Sequence, residues 1–63
     1  MQERIEQALR RDAIDQALAL AREWADSAPD EAAAQRALAV VLARAGDPEA
    51  ARVALDQAIL LSP

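Results

Sequence analysis

A chain of 63 residues with a net charge of −4 forms at most one small domain, which buries only a modest share of its surface. It contains no Cys, His, Lys, Tyr or Thr, and Ser27 and Ser62 are its only hydroxyls, which excludes disulfide bracing and leaves no nucleophile paired with a His or Lys base. Seven Arg face eleven acidic residues with no basic cluster denser than Arg10-Arg11, and no apolar run approaches the roughly 20 residues of a membrane span; neither nucleic acid nor membrane is an expected partner.

Ala, Leu, Glu, Gln and Arg dominate, and Trp24 is the only aromatic, which predicts an all-α fold. In the first amphipathic stretch, about 2–10, Ile5, Ala8 and Leu9 share one helix face. From Ile14 onward a second stripe, Ala17, Leu18, Ala21, Trp24, Ala25 and Ala28, is rotated by well over a quarter turn. One straight helix cannot bury both stripes against a single neighbour. A break is therefore expected at Arg11 and Asp12, with Asp12 capping a second helix over about 13–28. A continuous helix over 2–28 stays open as the alternative, and would favour a dimer that exchanges helices. Trp24 is assigned to the core on the Ala17 and Ala21 stripe rather than to a binding hot spot.

After Pro29, Asp30 is the expected N-cap of a third helix over about 31–45, with Ala34, Leu38, Val41, Leu42 and Ala45 recurring at three- and four-residue steps. Gly46 follows as a terminator, then Asp47 as N-cap and Pro48 at the first helical position. The fourth helix, about 48–61, carries the stripe Ala51, Leu55, Ala58, Ile59 and Leu61 before Pro63. The two-residue connection requires the last two helices to lie antiparallel.

The chain also repeats itself: Pro63 follows Pro29, Gly46 follows Asp12, Ala51 follows Ala17 and Glu49 follows Asp15, each by 34 residues. That spacing is the tetratricopeptide period. Within the second unit, 30–63, residues 32–63 resemble the tetratricopeptide repeat: Gln35, Leu38-Ala39 and Leu42, then Gly46, Ala51, Leu55, Ala58 and Pro63 fall on its pattern, with Leu for aromatic and Ala for Gly. Residues 1–29 form a partial repeat that matches in its second helix through Ala17 and Pro29. Its first helix, with Met1, Arg4, Ile5 and Ala8 at the pattern sites, fits poorly. Ala21 and Trp24 stand where Leu55 and Ala58 stand in the second unit, so large and small have changed places.

The resemblance implies a protein-binding or assembly module, not an enzyme, with no cofactor and no metal. Asp12 and Asp15, like Asp26 and Asp30, read as charges complementing helix N-termini. By resemblance the concave face carries Arg36, Val40, Ala43 and Arg44 in the second unit and Gln2, Glu6, Leu9 and Arg10 in the first. Arg36 and Arg44 could pair with an acidic peptide or a terminal carboxylate. The chaperone-binding members hold such a carboxylate with Asn and Lys, both absent here, so that function is not expected. The run Ile59-Leu60-Leu61 is the candidate association surface, since a terminal unit of a repeat array needs a polar outer face. The expected partner is protein, most concretely a second copy in a homo-oligomer. The alternatives are a fragment of a longer receptor that binds an extended or acidic peptide, and a designed scaffold with no ligand. A cytoplasmic location and a GC-rich bacterial source are the remaining expectations.

Overall fold

A computed structural model describes residues 1–62. It contains α1 (Gln2–Arg10), α2 (Ile14–Ser27), α3 (Ala32–Arg44) and α4 (Pro48–Leu61), with no strand among the described residues. Short connections over 11–13, 28–31 and 45–47 turn each helix back along its predecessor, and α1 also touches α3. The result is two stacked helical hairpins. The expectation that Pro63 stops α4 falls outside the described residues.

The break between α1 and α2 replaces the continuous-helix alternative, and Asp12 makes it in an unexpected way. It is not the N-cap of α2; Ala13 holds that place, with no side-chain cap. Instead Asp12 adopts the left-handed conformation, φ 58°. Its N–H donates to the Leu9 carbonyl at 3.0 Å, and the Ala13 N–H donates to the Ala8 carbonyl at 2.8 Å. These two bonds are the Schellman ending of a helix. The same ending recurs at α3, where Gly46 has φ 86°. There the Gly46 N–H donates to Ala43 at 3.2 Å and the Asp47 N–H to Leu42 at 3.0 Å. The 34-residue relation between Asp12 and Gly46 is thus one backbone motif used twice, with the glycine present only the second time.

Exchanging residues at these two positions should act in opposite directions. Asp12→Gly relieves the left-handed strain and is expected to stabilise by about 0.5–1 kcal/mol. At Gly46 an added Cβ meets nothing within 4 Å. Gly46→Ala is therefore expected to cost about 1 kcal/mol from backbone conformation alone. Urea denaturation of both variants checks the pair, and a loss of stability in Asp12→Gly would contradict the assignment.

The remaining helix ends follow the sequence with one shift. Asp47 caps α4, its Oδ1 accepting from the Ala50 N–H at 3.2 Å, with Pro48 opening the helix. Asp30 does not cap α3: Glu31 occupies the N-cap position without a side-chain bond. The reason lies in the turn, where the Glu31 N–H closes onto the Ala28 carbonyl at 3.1 Å and leaves Pro29 and Asp30 inside it.

The core is built mainly from alanine. Among the described residues twelve hydrophobic side chains are buried; nine are Ala, and the exceptions are Ile5, Val41 and Leu42. One cluster joins Ile5 and Ala8 of α1, Ala17 and Ala21 of α2 and Val41 of α3, with Leu18, Trp24 and Leu38 packed against it. A second joins Ala39 and Leu42 of α3 to Ala51 and Ala54 of α4. Trp24 is half-buried at the edge of the first cluster, and Ala39 serves as the small residue at the α3–α4 contact.

Two expected core stripes need correction. Ala45 is exposed at the end of α3. On α4 the buried line is Ala51, Ala54 and Ala58, whereas Leu55, Ile59 and Leu61 are 45, 56 and 38 % exposed. Small side chains let α3 and α4 approach closely, and the larger Leu55 and Ile59 are left at the exposed edge of that contact.

Candidate functional site

Two surfaces collect the residues singled out in the sequence. The first is a groove of about 370 Å³ between α1 and α3. Its apolar lining is Ile5, Leu9, Ala33, Ala37 and Val40, with Gln2 and Glu6 on the α1 rim and Arg36 on the α3 rim. Helical periodicity explains the arrangement: Gln2, Glu6 and Leu9 recur at four and three residues on α1, as do Arg36 and Val40 on α3. The Gln2 Nε2 donates to the Glu6 Oε1 at 3.5 Å, so this rim presents a carboxylate already engaged by its neighbour.

Of the residues assigned to the concave face, Gln2, Glu6, Leu9, Arg36 and Val40 come together in this groove. Ala43 and Arg44 are exposed farther along α3, and Arg10 is exposed at the end of α1; none of the three lines it. Ile5, Ala33 and Ala37 are lining residues that sequence reasoning missed: Ile5 reads as core in a periodic pattern, and Ala33 and Ala37 belong to neither the apolar stripe nor the binding face assigned to the third helix.

The second surface is a shallow depression of about 150 Å³ where α4 meets the side of α3. Leu55, Ala58, Ile59 and Ser62 form it together with Arg36, which therefore borders both surfaces. Of the candidate association run, only Ile59 belongs here. Leu60 and Leu61 follow at about 100° steps around the helix and point elsewhere, Leu60 with 75 % of its surface exposed. Leu55 takes their place, one turn before Ile59.

Neither surface offers a reacting group beyond Arg, Glu and a terminal-turn Ser, and among the described residues no three acidic side chains gather as a metal site would require. What both surfaces can do is bury apolar area beside a guanidinium. No described helix is long and apolar enough to cross a membrane. The class defined by this fold is an all-α stack of helical hairpins. No family model matches the chain, and neither a curated protein nor a solved structure does.

Proposed function

We propose that this chain is a protein-interaction and assembly module of the tetratricopeptide type, non-enzymatic and cytoplasmic, whose principal activity is association with a second copy through its exposed helix faces. The observation that carries this reading is the inverted use of side-chain size. The core is mostly Ala, while among the described residues five of the seven exposed large hydrophobics, Val53, Leu55, Ile59, Leu60 and Leu61, lie on α4. An isolated domain built this way forgoes the burial that would stabilise it most, and association recovers it.

Sedimentation over a wide concentration range tests the reading. A reversible increase in mass is expected, together with a thermal midpoint that rises with protein concentration. A folded monomer whose stability is independent of concentration would refute it.

A second reading rests on the groove beside Arg36. An extended peptide could place apolar side chains over Leu9 and Val40 and an acidic group on the guanidinium. Selective chemical-shift changes at Arg36, with Arg44 unaffected, on titration with acidic peptides would favour it over self-association.

A further inference from the structure

We infer that two copies of this chain join tail to tail about a two-fold axis through the α4 strip that carries Leu55 and Ile59, the polar opposite end limiting the assembly to a closed dimer. This rests on the self-association reading and specifies its geometry.

The internal repeat shows what the strip is for. Ala21 of α2 shares a cluster with Val41 of α3, and Ala25, one turn on along α2, is buried as well. Moved along by 34 residues, these two positions become Leu55 and Ile59. In the first hairpin the face is covered by a helix of the next hairpin. In the second hairpin it carries larger apolar side chains and is open to solvent, Leu55 at 45 % and Ile59 at 56 %.

The other end of the molecule decides which occupant fits. The second hairpin docks on the first with Leu38 and Val41. Their counterparts 34 residues earlier are Arg4 and Gln7, both exposed and bordering a depression with Arg11 and Gln16. Head-to-tail stacking of copies would therefore press Arg4 and Gln7 onto the apolar side chains of Leu55 and Ile59, which return no hydrogen bond for the water stripped from them. Tail-to-tail contact instead sets the strip of one copy against the same strip of the other, with Leu55 meeting Leu55 near the axis, the self-complementary arrangement that a two-fold interface requires.

Charge and area agree with this choice. Arg52 and Asp56 flank the strip one turn apart. In an antiparallel crossing centred near Leu55, the Arg52 of each copy comes opposite the Asp56 of the other, giving two opposite-charge pairs at the rim. A block with 4273 Å² of surface offers on the order of 700 Å² on one face, close to the roughly 800 Å² per partner of a standard interface.

The chain has no cysteine, so a single introduced thiol can pair only with its own copy. Leu55→Cys is expected to form a disulfide-linked dimer rapidly under mild oxidation. Gln7→Cys at the polar end and Glu23→Cys on α2 should remain mostly unlinked at the same concentration. Leu55→Glu should weaken association by at least about tenfold with unchanged helical content, since a buried carboxylate would replace an apolar contact. If the unmodified chain associates but Leu55→Cys links no faster than Glu23→Cys, or if the Gln7→Cys, Leu55→Cys double variant yields a ladder of oligomers, the two-fold arrangement is wrong and self-association stands. A chain that sediments as a monomer throughout overturns both.

Discussion

Ile5→Ala is expected to destabilise the fold by about 3 kcal/mol, the cost of deleting a buried branched side chain whose site cannot collapse. Ile5 is 2 % exposed and is the largest residue of the cluster whose other fully packed members are Ala8, Ala17, Ala21 and Val41. Of its four buried neighbours in the cluster three are alanines, which have no rotamers with which to fill the vacated volume, so much of the cavity persists. A domain of 63 residues has a total stability of about 3–9 kcal/mol, so the variant should lose between a third and all of it. Far-ultraviolet circular dichroism with urea titration measures this. A midpoint within error of the parent would mean that α1 is not held to the α2–α3 pair through Ile5.

Ala21→Leu and Leu55→Ala form a second, contrasting pair. The two sites occupy the same position of the 34-residue repeat, yet Ala21 is 0 % exposed and Leu55 is 45 % exposed. Ala21→Leu inserts three carbons where α2 and α3 are already in contact and should cost about 2–3 kcal/mol through overpacking. Leu55→Ala removes a side chain with nearly half its surface in solvent and should cost less than about 1 kcal/mol in the isolated chain. Its effect should appear instead in association, in the same direction as Leu55→Glu but smaller. Equal losses of stability in the two variants would show that the α2 and α4 faces are equally covered, contrary to the packing described above.

Much of the fold was legible because helix boundaries are encoded locally. The 3.6-residue apolar period, the terminators Pro29 and Gly46 and the cap-and-proline pair Asp47-Pro48 place α3 and α4 within a residue or so of their observed limits. The phase change between the Ile5 and Ile14 stripes marks the break between α1 and α2 without any Gly or Pro. The role of Asp12 was hidden by chemistry that suits two jobs: an aspartate favours the N-cap, and it also tolerates the left-handed conformation that ends a helix. Only the bonds from Asp12 and Ala13 back into α1 decide between them.

The candidate surfaces were legible in part for a related reason. Residues four apart on one helix are neighbours whatever the tertiary structure, so Arg36 and Val40 on α3, and Gln2, Glu6 and Leu9 on α1, could be grouped from the sequence. Which stretch of α3 lies beside α1 depends on the packing angle of two helices. The structure accordingly includes Arg36 in the groove and leaves out Ala43 and Arg44.

The sequence by itself determined an all-α chain, the limits of its last two helices and a repeat of 34 residues, because periodicity, caps and terminators act within one or two helical turns. The tertiary structure alone decided that α4 buries Ala51, Ala54 and Ala58 and leaves Leu55 and Ile59 outside. A helix with apolar residues on two adjoining faces carries no local signal of which face its neighbour will cover. Close packing on α3 selects the face whose small side chains permit the nearer approach.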